Sequence, residues 1–248
     1  MSYLIAVTGK GGVGKTTLSA LLIRQLLAGG RTPVLAIDAD PNSCLDEALG
    51  VKAEKTVGHA REEVRQEAQG ASISKQEMLQ LKISEGLVES NGFDLIAMGR
   101  PEGAGCYCYA NSVLKSVIAE LSGAYPYVVL DNEAGLENLS RRIVQKVDML
   151  VLVSDAGSAG LMTLTRLHTL AVEMGIEYSR LLLVINRLRG DRLPERVEDI
   201  RLKTGADAVI GLPDNDEVAE FSEQNKSILN LSEQNPVLVK VDELLALI

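Results

Sequence analysis

A glycine-rich stretch near the start of the chain, GKGGVGKTT at 9–17, has the residue types and spacing of a phosphate-binding loop. It follows an apolar run and precedes a helical pattern, which is the context that this motif requires. Its glycines allow the backbone to turn N–H groups toward an anion, at a helix start that already favours negative charge. We therefore predict that Lys15 contacts the β- and γ-phosphates of a nucleotide and that Thr16 ligates Mg²⁺. The predicted nucleotide-binding residues of this loop are Gly11, Gly12, Val13, Gly14, Lys15, Thr16 and Thr17.

Two cysteines one residue apart, Cys106 and Cys108 in GAGCYCYAN at 103–111, form the second group with chemical potential. Two thiolates at this spacing can bind one soft metal ion, but a closed tetrahedral site needs four ligands. The pair could instead be small, partly buried side chains or a redox pair. We favour metal binding, because both thiols lie in a predicted loop and Tyr107 and Tyr109 flank them. For the third cysteine, Cys44, packing is the preferred interpretation and transient metal ligation is the alternative.

Apolar runs rich in β-forming residues predict strands, and most of them lack alternation, as expected for strands buried on both faces. They lie at 3–8, 33–38, 93–99, 125–131, 148–155, 181–186 and 208–213. Helical patterns lie between them, near 15–29, 111–122, 136–146, 158–174, 192–203 and 236–247. This alternation predicts an α/β fold: a doubly wound, mostly parallel sheet of about seven or eight strands flanked by helices. Ligands of such sheets bind at the carboxyl ends of the strands.

The segment 52–91 is the least regular part of the chain. It is charged and has little β pattern, which favours two or three helices inserted into the domain over a separate domain. The chain has no internal repeat, low-complexity segment or Pro- or Ser-rich linker. We therefore predict a single domain over 1–248.

The composition excludes several classes of function. The 248 residues carry a formal net charge of −9, which argues against a general surface for nucleic acid or anionic membranes. No uncharged apolar run approaches the ~20 residues that span a bilayer, and the first residues lack the basic region of a signal peptide. We expect a cytoplasmic protein, in which closely spaced thiols are more often metal ligands or redox groups than structural disulfides.

The sequence KGGVGKT, with its early Lys10, resembles the deviant Walker A loop of one P-loop family. This family contains division-site and plasmid-partition ATPases, the nitrogenase iron protein and metallocentre-assembly ATPases. The resemblance implies a nucleotide-gated homodimer in which Lys10 reaches the nucleotide of the partner subunit and stabilises the transferring phosphoryl group. The alternative is that Lys10 is an ordinary solvated lysine.

Two acidic segments match the switch regions of the same family. DADPNS at 38–43 follows the second predicted strand, and the resemblance implies that Asp40 activates the attacking water while Asp38 supports the Mg²⁺ shell. DNEAG at 131–135 follows the fourth predicted strand, where Asp131 would hold Mg²⁺ through water and Gly135 would sense the γ-phosphate. Each carboxylate could alternatively cap a following helix.

The choice of base follows from a missing carboxylate. A guanine site of the usual P-loop type has Asn-Lys-x-Asp, whereas NRLR at 186–189 has Arg189 in place of the Asp. Adenine sites of the family pair such an Asn with a Pro-containing strand end, which GLPDND at 211–216 matches. The resemblance therefore implies ATP, with Asn186, Pro213 and Asp214 near the base. A loop residue after a strand is the alternative for Asn186.

Four segments together resemble the branch of the family that matures carbon monoxide dehydrogenase: KGGVGKTT, DPNSC, CYCYANS and DNEAGLENLSRR. The resemblance implies an ATPase that hydrolyses ATP to ADP and phosphate and inserts nickel into apo carbon monoxide dehydrogenase. A two-fold dimer would supply four sulfurs, from Cys106 and Cys108 of each subunit, to one Ni²⁺ or Zn²⁺ ion.

Three other functions remain open. The first is maturation of acetyl-CoA synthase, which the same motifs would serve. The second is a positioning or partition ATPase, against which the acidic composition and the C-terminal sequence argue, since the latter has one lysine against Asp and Glu. The third is a reductase subunit, which the lack of a cysteine after the second switch disfavours. We expect no nucleic acid and no membrane partner.

Overall fold

An eight-stranded sheet forms the centre of the computed structural model, which describes residues 2–67, 74–100, 115, 118, 121–133, 145–190 and 192–248. Within these residues the strands run over β1 Tyr3–Gly9, β2 Val34–Asp38, β3 Val88–Glu89, β4 Phe93–Ala97, β5 Tyr127–Asp131, β6 Lys146–Asp155, β7 Glu177–Leu188 and β8 Ala208–Pro213. Their order across the sheet is β3-β4-β2-β5-β1-β6-β7-β8. All neighbouring strands are parallel except β3, which pairs antiparallel with β4 at the edge. This is the predicted doubly wound α/β fold.

The strand order brings the carboxyl ends of distant segments to one edge. The first strand, β1, lies between β5 and β6, so its last residue, Gly9, pairs with Val153. On the other side β2 pairs in register with β5, which sets Asp38 opposite Asp131. At the far side Asp155 is the register partner of Asn186. Parallel pairing therefore brings the predicted phosphate loop, Asp38, Asp131 and the predicted base segment together at the carboxyl ends of the strands.

Helices cover both faces of this sheet. The described helices are α1 Lys15–Ala28, α2 Leu45–Leu49, α3 Val57–Glu67, α4 Lys75–Glu85, α5 Ser158–Glu173, α6 Arg196–Thr204, α7 Asp216–Glu223 and α8 Pro236–Leu245. Alternate residues of β1 serve opposite faces: Ile5 and Val7 pack with α1 and α8, whereas Ala6 packs with the cluster that includes α3 to α6. Two apolar cores result, both built mainly from aliphatic side chains.

Helix α1 carries the phosphate loop on its first turn and is held firmly by packing. Leu18, Leu21, Leu22 and Leu26 are all at most 2% exposed. Burial of a leucine side chain stabilises a fold by about 1.5–3 kcal/mol. The end of the loop is therefore anchored to the core, while the loop itself remains at the edge of the sheet.

The predicted elements agree with the structure in most places and differ at their bounds. Each of the seven predicted runs overlaps a strand, and 52–91 contains α3 and α4 as predicted, together with the unpredicted β3. The prediction that a helix reaches residue 146 was wrong, because Lys146 begins β6. Helix α6 begins at Arg196 instead of 192, two residues after Pro194. Of the helix predicted near 111–122, Lys115, Ile118 and Leu121 are described and helical, and Ser122 begins a short 3-10 helix.

Two short helices, α2 and α7, were not predicted. Both are shorter than the window in which helical periodicity becomes visible.

That the whole chain forms a single domain stays a prediction. In the described part of the chain, no helix combines the length and the apolar character needed to cross a membrane.

Candidate functional site

The glycine-rich loop turns sharply between β1 and α1. Gly12 and Gly14 have φ values of 77° and 89°, a left-handed conformation that favours glycine. At Gly14 a Cβ atom would also lie 2.3 Å from Nδ2 of Asn186, so any side chain would collide with β7. Gly14 is the N-cap of α1, which has neither a side-chain cap nor an acidic residue in its first turn. The first amides of α1 are thus left for an anion, as in other phosphate sites at helix N-termini.

The two lysines of the loop have different environments. Lys15 is buried, and its Nζ atom donates to the carbonyl oxygen of Lys10 at 3.4 Å, so that its side chain arches over its own loop. Lys10 is exposed. The ammonium group of Lys15 therefore lies inside the curve of the loop, whereas that of Lys10 is accessible from outside the subunit.

Two buried carboxylates lie next to each other below the loop. Asp38 ends β2 and Asp131 ends β5, and both side chains are at most 1% exposed. Oδ1 of Asp131 accepts a hydrogen bond from Ser19 Oγ in α1 at 3.2 Å. Asp38 accepts from the backbone N–H groups of Asp40 and Leu45, each at 3.0 Å. The second of these bonds places Asp38 at the start of the short helix α2.

Burial raises the pKa of both carboxyls well above the ordinary value. The pKa of Asp131 rises to about 6, although hydrogen bonds from Thr16 and Ser19 and the charge of Lys15 oppose the rise. The pKa of Asp38 rises to about 7, first through burial and then through the negative charge of Asp131. Two carboxyls that ionise with this difficulty would be stabilised in their charged forms by a nearby cation.

These residues fit a Mg²⁺ site of the kind found with nucleotides. Such a site uses one or two carboxylates and takes its other ligands from phosphate oxygens and water. In the described residues there is no group of three or more His, Cys, Asp or Glu side chains that could hold a metal ion by itself. A Mg²⁺ ion held by these carboxylates would take its remaining ligands from nucleotide phosphates and water.

Asp40 lies at the turn between β2 and α2. Its Oδ1 atom accepts from the backbone N–H of Asn42 at 2.8 Å and from Asn42 Nδ2 at 3.0 Å. Its carbonyl oxygen accepts from the backbone N–H of Ser43 at 3.0 Å. The loop 39–44 is therefore ordered around the side chain and carbonyl of Asp40, next to the buried carboxylates.

A cavity of about 300 Å³ lies beside the phosphate loop. Its walls include Thr17 and Gly14 on one side and Asn186, Pro213 and Asp214 on the other, which are the three residues predicted to lie near the base. Leucine and valine side chains of α1, β8, α7 and α8 also line it. The lining thus mixes aliphatic with polar side chains, which suits a heterocycle that carries hydrogen-bonding groups.

Asn186 has a structural task besides facing this cavity. Its Nδ2 atom donates to the carbonyl oxygen of Val13 at 2.8 Å, and its Oδ1 atom accepts from the backbone N–H of Arg187 at 2.9 Å. Asn186 thus joins the end of β7 to the phosphate loop, 173 residues away in the chain. The predicted base residue therefore also holds the glycine-rich loop in place.

Sequence reasoning missed the outer wall of the nucleotide cleft. Helix α7 contributes Val218 and Ser222 to the first cavity, and a second cavity of about 250 Å³ contains Thr16, Thr17, Ser222 and Lys226. The two cavities share Thr17 and Ser222 in their linings and so lie side by side near the start of α1. The sequence pattern that could have located α7 is an N-cap: Asn215 is followed by two acidic residues. In the structure the side chain of Asn215 accepts a hydrogen bond from the backbone N–H of Val218.

Cys44 also lines the second cavity. Partial burial raises the pKa of its thiol, and the carboxylates of Asp38 and Asp40 raise it further. The thiolate, which is the metal-binding form, is therefore disfavoured in this state. Cys106, Cys108 and Gly135 lie outside the described residues.

The comparisons with known proteins agree with this geometry. A family model for the CobQ/CobB/MinD/ParA nucleotide binding domain matches residues 4–228. An uncharacterized ATP-binding protein of Methanocaldococcus jannaschii is 42% identical over 245 residues, which cover 97% of this chain and 96% of the relative. The carbon monoxide dehydrogenase accessory protein CooC of Rhodospirillum rubrum is 36% identical over 186 residues, or 70% of each chain.

A solved structure supports the fold. The cell division ATPase MinD of Pyrococcus furiosus matches over 100% of both chains with a TM-score of 0.71 and 21% sequence identity. At this identity the similarity concerns the fold alone.

Proposed function

Because this chain belongs to the CobQ/CobB/MinD/ParA family of nucleotide-binding proteins, we propose that it is an ATP-dependent metallochaperone. It is a P-loop ATPase, and its reaction is the hydrolysis of ATP to ADP and phosphate. The proposed cargo is Ni²⁺ or Zn²⁺, bound by Cys106 and Cys108 of two subunits. The proposed client is apo carbon monoxide dehydrogenase, the enzyme named in the relative CooC.

One structural observation carries the proposal: the strand that leads to the cysteines ends beside the nucleotide site. Ala97, the last residue of β4, is the register partner of Asp38, and Met98 N donates to the carbonyl oxygen of Asp38 at 2.8 Å. Cys106 follows Ala97 by nine residues. The proposed metal ligands therefore follow, after a short stretch of chain, a strand that is bonded to the proposed switch loop, which supports a metal site controlled by nucleotide.

In the proposed ATP cycle each residue of the site has one task. Lys15 and the loop amides bind the β- and γ-phosphates, and Asp40 orients the attacking water. Mg²⁺, held by Thr16 and through water by Asp38 and Asp131, would neutralise the phosphate charge. Lys10 would reach the partner's nucleotide, where its charge stabilises the transition state.

The remaining contacts fix the base. Asn186, Pro213 and Asp214 would contact adenine in the cavity beside the loop. The side chain of Arg189 lies 4.0 Å from Asp214, so the only carboxylate among these three residues already has a cationic neighbour. A guanine site needs a free carboxylate on the base edge, and ATP is therefore the proposed nucleotide.

The experiment that tests the metallochaperone is a titration with Ni²⁺ and with Zn²⁺ in the presence of ATP, ADP or no nucleotide. Metal per subunit and dimer mass are measured together. We expect about one ion per dimer, since two thiolates from each subunit complete a four-coordinate site. The variants Cys106→Ser and Cys108→Ser should lose the ion, whereas Cys44→Ser, the matched control, should retain it.

Two results would contradict the proposal. Full metal affinity in both cysteine variants would remove the proposed ligands. Salt-dependent binding to DNA together with no metal binding would instead indicate a partition-type ATPase, because phosphate contacts release counterions and weaken as salt rises.

A further inference from the structure

A groove lies between helices α5 and α6, on the face of the sheet opposite α1. Its volume is about 400 Å³, and the side chains that line it recur every three or four residues along both helices. Two of them, Leu161 and Ile200, are 3% and 8% exposed and belong to the apolar core. A third, Met162, is 54% exposed. The groove therefore offers a partner an apolar floor and an accessible apolar side chain.

Three cationic side chains also line this α5–α6 groove: Arg166 of α5, and Arg196 and Lys203 of α6. All three are exposed, and within the part of the chain that the structure describes none of them forms an ion pair. Arg196 donates instead to Ser158 Oγ at 3.3 Å. Among the described residues of the lining, Asp199 is the one acidic side chain. The groove thus has an excess of positive charge, in a chain whose formal net charge is −9.

Cations elsewhere on the described surface have acidic neighbours. Arg201 lies on α6 but outside the lining of the groove, and its guanidinium is 2.7 Å from Glu198. Lys52 and Lys55, in the segment before α3, each lie 3.3 Å from a glutamate. The unpaired charge is therefore a local property of the groove, and it is complementary to carboxylates supplied from outside.

The groove begins at the edge of the sheet that carries the nucleotide site. Its first residue, Ser158, begins α5 three residues after Asp155 ends β6, and Asp155 Oδ1 accepts from Gly157 N at 2.7 Å. Asp155 is also the register partner of Asn186, which is bonded to the phosphate loop. A partner seated at the start of α5 and α6 would therefore lie at the same edge as the nucleotide.

We propose that the α5–α6 groove is the docking site for the client enzyme and that it takes an acidic protein segment whose carboxylates flank an apolar side chain. This inference rests on the proposed function, which supplies the client. The carboxylates bind Arg166, Arg196 and Lys203, and the apolar side chain packs against Met162 above the floor of the groove. A protein segment fits better than nucleic acid, because Asp199 would repel phosphates and the apolar floor has no counterpart on a phosphate backbone.

The test measures the affinity of purified apo carbon monoxide dehydrogenase for the full-length protein, with ADP and with a non-hydrolysable ATP analogue, by biolayer interferometry. The double variant Arg166→Glu/Lys203→Glu should bind about tenfold more weakly or worse in the state that binds the apo enzyme more tightly, since like charges across an interface repel. The neutral variant Arg166→Gln/Lys203→Gln should fall between this variant and the unaltered protein. Raised salt should weaken the unaltered complex more than that of the double reversal.

A matched control separates docking from a general effect of charge. Lys52→Glu/Lys55→Glu changes the net charge by the same amount at two exposed lysines outside the groove and should retain the affinity. ATP turnover without client should be unchanged in every variant, because none of these residues lines the nucleotide cavities.

Three results would contradict the proposal in different ways. If the double reversal binds the apo enzyme as tightly as the matched control, the docking site is wrong while the client stands. If the unaltered protein does not bind the apo enzyme, the client of the proposed function is wrong and the docking site falls with it. Binding of duplex DNA that the double reversal abolishes would assign the groove to nucleic acid instead of a protein segment.

Discussion

Replacement of Asp131 by Asn should stabilise the nucleotide-free protein and abolish its catalysis. Asp131 is 1% exposed, and its carboxylate accepts from Ser19 Oγ at 3.2 Å. Asn has nearly the same shape, keeps an oxygen for that bond and has no charge to bury. It cannot supply the negative charge that a Mg²⁺ site needs. The same substitution therefore acts in opposite directions on folding and on function.

The magnitude follows from the pKa of Asp131, which burial raises from an ordinary 3.8 to about 6. Well below pH 3.8 the carboxyl is neutral in both the folded and the unfolded chain, so its burial does not lower the free energy of unfolding. As the pH rises toward 6, the unfolded chain ionises first, so the free energy of unfolding falls. Above pH 6 the loss is constant at about 3 kcal/mol, since each pH unit of pKa difference corresponds to about 1.4 kcal/mol.

Urea unfolding followed by circular dichroism at pH 8, without nucleotide or metal, measures this effect. We expect Asp131→Asn to raise the free energy of unfolding by about 2–3 kcal/mol with an unchanged m value. The control Asp207→Asn alters an exposed carboxylate that also accepts a backbone N–H, from Leu181 at 2.7 Å, and should give no gain.

The reasoning would be refuted by an Asp131→Asn protein that is no more stable than the parent at pH 8. A carboxyl-carbon NMR titration gives an independent check, because the Asp131 signal should have its midpoint near pH 6 in the folded protein. A midpoint near 4 would show that the buried carboxylate is not destabilised by its surroundings.

Three further predictions concern the loop and the C-terminal part. Gly14→Ala should weaken nucleotide binding at least tenfold, or about 1.4 kcal/mol, because the alanine Cβ would lie 2.3 Å from Asn186 Nδ2. Calorimetric titration with ADP measures the affinity, and an unchanged affinity would contradict this prediction. Lys10→Ala should leave nucleotide binding intact but impair ATP hydrolysis and ATP-driven dimerisation, which phosphate release and sedimentation measure. An unchanged rate of hydrolysis would show that Lys10 does not act on the nucleotide of the partner subunit. Asn235→Ala should lower the free energy of unfolding by about 2 kcal/mol, since this buried side chain caps α8 and donates two hydrogen bonds to the start of α7. Asn235→Ser keeps a cap acceptor without placing a charge beside Glu217 and should lose less, and a loss as large as that of Asn235→Ala would show that the cap contributes nothing.

Local sequence was sufficient to locate the phosphate loop and the buried strands, because each has a pattern that is recognisable within a few residues. The stretch GKGGVGKTT carries its own conformation, because glycine at positions 12 and 14 permits the left-handed turn that exposes the loop amides. The buried strands could be located from apolar runs alone, as their two faces are both covered. Helices α2 and α7 were missed because five and eight residues are too few to show a helical period.

The arrangement of the candidate site could not be derived from these patterns. That Asp38 and Asp131 are register partners depends on β2 pairing with β5, and 93 residues of chain separate the two aspartates. The raised pKa values follow from that pairing and from burial, neither of which is written in the local sequence. The same holds for the hydrogen bond from Asn186 to Val13, which joins the base cavity to the phosphate loop.

The sequence by itself determined which chemical groups this protein has: a phosphate loop, a set of strand-end carboxylates and a pair of thiols. The tertiary structure decided which of the described groups meet. Residue types and periods are properties of short segments, whereas strand order is decided by the packing of two cores against one sheet. Only that packing places the bonds from Met98, Gly99 and Arg100 on the Asp40 loop, more than 50 residues away in the chain.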